Sequence, residues 1–475
     1  MNTPPNTAPN SEPSTEPATH SGPDQWTITS WKSRLDPQQV VYQDRVAVDR
    51  AVMKLRSLPP LVTSWEIEKL KNHIAEAQQG KRFLLQGGDC AERLDDCRPE
   101  HITSKLKILL QMSLVLVHGL GQPVIRVGRF AGQYAKPRSS KTEQGEFNGE
   151  PIELPSYFGD LVNREAFTPD ARAPDPHLMV RGYQHAAMTL NFIRALIDGG
   201  FADLHHPEYW DLSFLGSAAL TEQTRSAYRQ MSSELASALK FMENIGERSV
   251  KDLSTVEFFT SHEGLNLLYE SAQTRTVPRR EGHYNLSTHL PWIGERTRSL
   301  DGAHVEYFRG IRNPVGIKIG PNADPAEIAS LIDTLNPDAE PGRMVLIVRM
   351  GRANVRDRLP GLLERINGSG KPVLWVCDPM HGNTRTTANG RKTRDVDDIT
   401  SELMESIDIH QEIGTHLGGI HIELTGEDVT ECVGGASGIT ENSLETNYSS
   451  ALDPRLNYTQ SLELAFALAN RLHKS

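Results

Sequence analysis

Along most of this chain a short apolar run gives way to a polar or glycine-rich loop and then to a stretch with helical spacing. The runs of β-formers fall at 83–85, 124–127, 256–259, 289–293, 315–319, 344–348, 373–376 and 419–424. Eight strands alternating with helices predict an α/β chain folded as a (β/α)8 TIM barrel, with its active site in the loops at the carboxyl ends of the strands. The residues at or just beyond the end of each run fit that expectation: Cys90, Arg129, His262, Glu295 with Arg296, Lys318, Arg349, His381 and Glu423. The later intervals lie near the ~30 residues per unit of such a barrel. The second, from Arg129 to His262, is far longer and is expected to hold a helical insertion within about 140–254. A doubly wound open sheet has the same alternation but needs a nucleotide fingerprint, and Gly119, Gly121 and Gly128 are wrongly spaced for one.

The flanks divide the rest. Residues 1–24 hold six prolines, no Lys or Arg and almost nothing apolar, which predicts a disordered tail. A single domain is expected over 25–475, opening with an N-terminal extension over 25–80 whose amphipathic piece at 65–77 stops at Gly80. Within the insertion, Tyr228, Met231, Leu235, Leu239, Met242 and Ile245 recur at helical spacing, an apolar stripe that must be buried on the barrel or against a second subunit.

Composition narrows the function classes. With 37 % hydrophobic and 23 % charged residues and a mean hydropathy of -0.45, the chain is polar for a globular enzyme but expected to fold. The most apolar stretch, 108–120, is broken by Gln111, Ser113 and His118, so no membrane span is expected. A net charge of -11 argues against nonspecific nucleic-acid binding, so an anionic substrate must meet a local basic cluster. Four cysteines in 475 residues make no disulfide scaffold and no signal-peptide core opens the chain, so the cytoplasm is the expected compartment.

Two sets of side chains carry candidate chemistry. Cys90, His381, Glu423 and, beyond the last run, Asp453 offer a thiolate, an imidazole and two carboxylates, a mixed set suited to a divalent transition ion. Singly, each has an ordinary reading, because buried cysteines are usually inert and loop carboxylates are usually caps or solvated; a barrel would bring three of them together. His421, two residues before Glu423, faces the same side of its strand and is either an orienting group or a core histidine. Cys97, Cys377 and Cys432 read as structural. The second set is cationic: Arg129, Lys136, Arg138, Arg296, Lys318, Arg349 and Lys392. Lys318 and Arg349 sit among strand-core residues, where burying a cation is costly unless an anion neutralises it, which points to phosphate or carboxylate ligands. Lys136, Arg138 and Lys392 lie in polar loops and also admit a surface reading, and Glu295 is either an orienting partner of Arg296 or a simple ion pair.

The strings LLQGGDCAE, GQYAKPRSS, WIGERTR, NPVGIKIGP, CDPMHGNT, GGIHIELTGEDVTECVGG and DPRLNYTQSLELAF, in this order, resemble type II 3-deoxy-D-arabino-heptulosonate 7-phosphate (DAHP) synthases, and WTITSWKSR resembles their plant-like branch. The resemblance implies condensation of phosphoenolpyruvate with erythrose 4-phosphate and water, the first step of the shikimate pathway. It implies Cys90, His381, Glu423 and Asp453 as ligands of Mn2+, or of Co2+ or another divalent ion. It places phosphoenolpyruvate on Arg129, Glu295, Arg296, Lys318 and Arg349, and the sugar phosphate on Lys136, Arg138, Ser139 and Lys392. Lys318, Arg349 and His381 are the expected catalytic residues. A homo-oligomer, inhibition by an aromatic amino acid through the inserted helix, and a chorismate mutase partner are further expectations of the same kind. Another metal-dependent barrel synthase or aldolase of a phosphorylated sugar acid, and a non-catalytic metabolite-binding scaffold, are the alternatives.

Overall fold

The computed structural model describes residues 25–199, 221–245 and 256–473; the tail read over 1–24 lies outside them. Eight parallel strands, β1 (Phe83–Gly88), β2 (Val124–Arg129), β3 (Phe259–Glu263), β4 (Leu290–Ile293), β5 (Val315–Ile319), β6 (Met344–Val348), β7 (Val373–Cys377) and β8 (Gly419–Glu423), close into a barrel in sequence order. Seven coincide with the apolar runs to within a few residues. The third begins where its run ends, so His262 lies within β3 instead of at its exit. Ser261 and Glu263 face inward there, and their polarity makes the strand read as loop.

Alternation along each strand builds two cores. Outward residues such as Phe83, Leu85, Ile420 and Ile422 join the helices Pro99–Leu120, Val396–Ile413 and Tyr458–His473 in one cluster, while Val315, Ile317 and Leu346 join the helices Pro325–Leu335 and Val355–Asn367 in another. Inward residues, among them Leu84, Ile125, Val127, Val345 and Leu374, fill the barrel interior together with Leu70, Ile74 and Ala77 of the helix Ser64–Gln78. That helix starts on a capping box, with Thr63 Oγ1 accepting from the Glu66 N–H and Glu66 accepting from the Thr63 N–H at 2.8 Å. It plugs the amino-terminal end: Gln78 donates to the Met344 carbonyl at the start of β6, and His416, ahead of β8, is 2.9 Å from the Ala77 carbonyl. One end of the barrel is thereby closed, leaving the carboxyl end for chemistry. Among the described residues no helix is long and apolar enough to cross a membrane.

The insertion between β2 and β3 is only partly helical. It opens with an antiparallel hairpin, Thr142–Phe147 against Glu150–Pro155, turned by Asn148 and Gly149 at φ 54° and 83°. Asn-Gly supplies both left-handed positions of a type I′ turn, so this departure from the expected helix has a local signal. The helices His177–Asp198 and Glu222–Ile245 follow. At the start of the expected stripe Tyr228 is buried, its ring 5.0 Å from that of Phe466, and Met231 packs on the same cluster. The side chains of Leu235, Leu239, Met242 and Ile245 lie outside the described residues.

The helices Pro99–Leu120 and Tyr458–His473 meet at Gly119, where an added Cβ would stand 2.4 Å from Ala469 Cβ. Gly119→Ala is expected to overpack this seam and cost about 1–3 kcal/mol, outweighing the gain in helix propensity; urea unfolding of both proteins checks it.

Candidate active site

The inward period that fills the barrel also delivers its last layer. Arg129, Glu263, Lys318, Asp378 and Glu423 end or follow β2, β3, β5, β7 and β8 with buried side chains. Gly88 pairs in register with Arg129 on one side and with Glu423 on the other, so these two reach the same level and meet across β1, Arg129 Nη2 donating to Glu423 Oε1 at 3.0 Å. His421, one inward position lower, accepts from Arg129 Nη1 at 2.6 Å. Burial, with Lys318 and Arg129 nearby, holds this imidazole well below its ordinary pKa, so it stays neutral with the proton on Nδ1. The sequence expectation of an inward-facing His421 beside Glu423 is met, and its hydrogen-bond partner is Arg129.

Beside this layer one ligand atom each from Cys90, Glu423 and Asp453 lie within 4.8 Å of one another. His381 Nε2 is 3.0 Å from Glu423 Oε1, and its Nδ1 is 2.7 Å from Asp378 Oδ2, which orients the ring and aims Nε2 at the group. An imidazole oriented by a carboxylate next to a thiol and two more carboxylates fits a divalent ion. Lys136 threads the same group, Nζ 2.8 Å from Cys90 Sγ and 3.1 Å from Asp453 Oδ2. Burial, reinforced by Glu423, pushes the Cys90 thiol up to about 12; a bound cation lowers such a value, since thiols ligate as thiolates. Burial also works against the Glu423 charge, yet His381, Lys136, Arg394 and Arg129 together keep its carboxyl well below the usual range.

Next to this group opens a cavity of about 250 Å³ lined by Arg129, Lys136, Arg296, Lys318 and Arg349, with Glu263, Glu295 and the Trp292 ring among the remaining walls. Arg129 stacks over Trp292 at 5.3 Å. Arg349 donates to the His381 carbonyl at 3.3 Å, and its Nε has no hydrogen-bond partner among the described residues. Lys318 forms a short ion pair with Asp378, yet burial pulls its ammonium down to about 8. Glu295 is held through Oε1 by Arg298 at 3.1 Å, so its partner is Arg298 and not the neighbouring Arg296, which is exposed.

Of the expected sugar-phosphate residues, only Lys136 lines the cavity. Lys392 pairs with Asp453 at 2.8 Å, Arg138 pairs with Glu143 at 2.8 Å, and Ser139 is exposed. His262 belongs to a buried network with Glu270 at 2.8 Å. Three contributors went unread in the sequence. Asp378 stands in the CDPMHGNT string but reads as a turn residue. Arg394, 0 % exposed and 2.7 Å from Glu423 Oε2, hides in a loop as charged as any surface. Glu263 lay beyond the expected end of its strand.

Fold and site together define a (β/α)8 barrel enzyme in which a cation-lined cavity adjoins a group fit to hold a metal ion. Comparison with known proteins makes this particular: the Class-II DAHP synthetase family model matches residues 26–469, and the chain belongs to that family. A phospho-2-dehydro-3-deoxyheptonate aldolase of Neurospora crassa is 47 % identical over 461 residues, 94 % of either chain. Proteins of the same name from Streptomyces coelicolor (47 % over 440 residues, 93 % of this chain and 96 % of that one) and Mycolicibacterium smegmatis (45 % over 425 residues, 88 % and 89 %) are also similar.

The exit loops are pinned from behind by buried carboxylates that accept backbone N–H groups. Glu92 takes those of Ala131, Gly132 and Gln133 at 2.7–2.8 Å, holding Ala131, two residues past Arg129, at φ 67°. Glu402 takes the Gly351 N–H at 2.8 Å and the Asn383 amide at 2.7 Å, tying the loop after Arg349 to the loop that carries His381. Burial, with the Asp378 charge adding to it, raises Glu402 to about 8. Between the ordinary carboxyl value and about 8 the unfolded chain has released this proton while the native one holds it, so stability falls with rising pH, by at most about 1.4 kcal/mol per unit. Glu402→Gln removes that contribution. Its stability relative to the native protein should therefore improve from pH 5 to pH 8, which urea midpoints at both values measure.

Proposed function

We propose that this chain is a 3-deoxy-7-phosphoheptulonate synthase, condensing phosphoenolpyruvate with D-erythrose 4-phosphate and water to give DAHP and inorganic phosphate. The observation that carries the reading is the convergence of five cations on one cavity that adjoins the Cys90, His381, Glu423 and Asp453 group. Both substrates are phosphorylated and one is also a carboxylate; Asp378, Glu423 and Asp453 offset Lys318, Arg129 and Lys136, while Arg296 and Arg349 line the cavity with no carboxylate partner among the described residues, which suits anionic ligands.

In this reading Arg129, Arg296, Lys318 and Arg349 bind the carboxylate and phosphate of phosphoenolpyruvate, with Glu295 holding Arg298 behind them. Lys136, Arg138, Ser139 and Lys392 form the sugar-phosphate end. Cys90, His381, Glu423 and Asp453 hold a divalent ion, Mn2+ first and Co2+ next; when bound it supplies Lewis acidity at the aldehyde oxygen. C3 of phosphoenolpyruvate bonds to the aldehyde carbon, a water oxygen bonds to C2, and the C2–O bond to phosphate breaks. Lys318, with an ammonium brought down to about 8, is placed to exchange a proton near neutrality. Glu263, a buried carboxylate whose Oε1 has no partner among the described residues, is placed to hold the attacking water. Arg349 and Arg129 stabilise charge that grows at C2 and on the departing phosphate. Residues 25–475 act as one unit in this scheme, in the cytoplasm. A homo-oligomer, control by an aromatic amino acid at the inserted helices and association with a chorismate mutase complete it.

Phosphate release should require both substrates together and stop on chelation, with Mn2+ or Co2+ restoring it best; chelator-insensitive turnover overturns the metal reading. Cys90→Ser should weaken binding of the ion itself, read by equilibrium dialysis, because a hydroxyl replaces a thiolate.

Arg349→Ala should lower kcat/KM for phosphoenolpyruvate by an amount equivalent to about 2–5 kcal/mol, as for loss of one partner of a buried charge pair. An unchanged value would place Arg349 outside the substrate.

A further inference from the structure

The loop that leaves β2 runs from Arg129 through cavity-lining Lys136 and Pro137 to Arg138 and Ser139. Its backbone is held at successive points by different parts of the chain. The Lys136 N–H bonds to the Phe158 carbonyl at 2.9 Å, within the insertion. At Arg138 the partner comes from the N-terminal extension: the Arg138 N–H donates to Gln38 Oε1 at 3.0 Å, and Gln38 Nε2 donates to the Arg138 carbonyl at 3.3 Å.

A primary amide carries a donor and an acceptor on one edge, as a peptide unit does, so this single side chain satisfies both backbone groups of Arg138 like a neighbouring strand. Aspartate and glutamate lack the donor, and asparagine is one methylene short. The segment that delivers Gln38 is itself fastened. Trp26 Nε1 bonds to the Glu306 carbonyl at 2.9 Å, Trp31 is buried against the helix Ala303–Phe308, and the Ala303 N–H bonds to the Leu35 carbonyl at 2.9 Å. Asp36 Oδ1 then accepts the Gln38 N–H at 3.0 Å, setting the side chain's point of departure. The Arg138 guanidinium is fixed independently by Glu143, whose other oxygen accepts from Arg172 at 2.7 Å. Backbone and guanidinium are thus restrained from two directions.

We propose that Gln38 is a positioning residue for the sugar phosphate, acting through Arg138: its amide fixes the backbone of the turn from Pro137 to Ser139. This rests on the reading of Arg138 as part of the sugar-phosphate end. The N-terminal segment therefore contributes to substrate selection while touching no substrate.

The test compares Gln38→Met, Arg138→Ala and the double variant by steady-state kinetics with each substrate. Methionine keeps the length and loses both bonds. Gln38→Met should raise KM for erythrose 4-phosphate about tenfold, leave KM for phosphoenolpyruvate within about twofold, and leave the melting temperature nearly unchanged, since Gln38 is only half-buried. Because the amide acts through Arg138, the double variant should be no worse than Arg138→Ala alone. If Arg138→Ala raises the sugar KM and Gln38→Met does not, or if the two effects multiply in the double variant, the clamp is wrong and the subsite stands. A Gln38→Met change that raises both KM values equally makes the residue a general structural contact and also overturns the proposal. If Arg138→Ala leaves the sugar KM unchanged, the subsite reading itself fails and takes the clamp with it.

Discussion

The constraint on which this site depends is the charge of Glu423. Its side chain is wholly buried at the end of β8, where an isolated carboxylate would cost several kcal/mol and would neutralise itself instead. Here Oε1 meets Arg129 at 3.0 Å and His381 at 3.0 Å, while Oε2 meets Arg394 at 2.7 Å. Those partners come from β2 and from the loops after β7, so the charge can be kept only if the barrel is closed in register. The same carboxylate is then the fixed anion around which Cys90, Asp453 and Lys136 are gathered. Breaking one partner would leave its neighbours with uncompensated charge, which makes the group a unit and not a sum of pairs.

How much of this the sequence discloses depends on the same physics. Strands with apolar residues on both faces announce themselves, so β5, β6 and β7 coincide closely with their runs. β3 does not, because its inner face carries Ser261 and Glu263: polar inward residues, essential to the site, erase the hydrophobic signal that would place them. Ligand candidates were legible because thiol, imidazole and carboxylate at strand exits are chemically conspicuous. Arg394 was not legible, since nothing local distinguishes an arginine that turns inward from its exposed neighbours Arg391 and Lys392. Gln38 was equally silent. A pairing across a sequence separation of 100 leaves no local pattern, and its meaning exists only after the N-terminal segment has been laid across the helix Ala303–Phe308.

The cavity itself divides its walls between two kinds of support. Arg129 and Lys318 belong to the strands, and their backbones are fixed by sheet registry, Lys318 opposite Ile347 and Arg129 opposite Gly88. His381 and Lys136 stand on loops, where no ladder sets their height, and Arg349 stands one residue past β6, its N–H bonded to the Ile319 carbonyl at 2.8 Å. For these the structure substitutes buried side-chain acceptors. Glu402 joins the loops after β6 and β7, Asp378 accepts the backbone N–H groups of Met380 and His381 at 3.0 and 3.1 Å, and Glu92 gathers three successive N–H groups after Arg129.

Carboxylates are suited to this work because each oxygen accepts more than one hydrogen bond, so one side chain can collect donors that face different ways in a turn. They also cost the most to bury as ions, and the braces meet that cost in different ways: Asp378 keeps its charge beside His381 and Lys318, while burial raises Glu402 to about 8 so that it braces as a neutral carboxyl near neutrality. Precision in the loop that carries His381 is therefore coupled to the positive charge of the site. Lys318 and His381 on one side and Asp378 on the other stabilise each other across the exit of β7, so a substitution that weakens one is expected to loosen the other. A barrel with an apolar rim would have no means of keeping Asp378 charged.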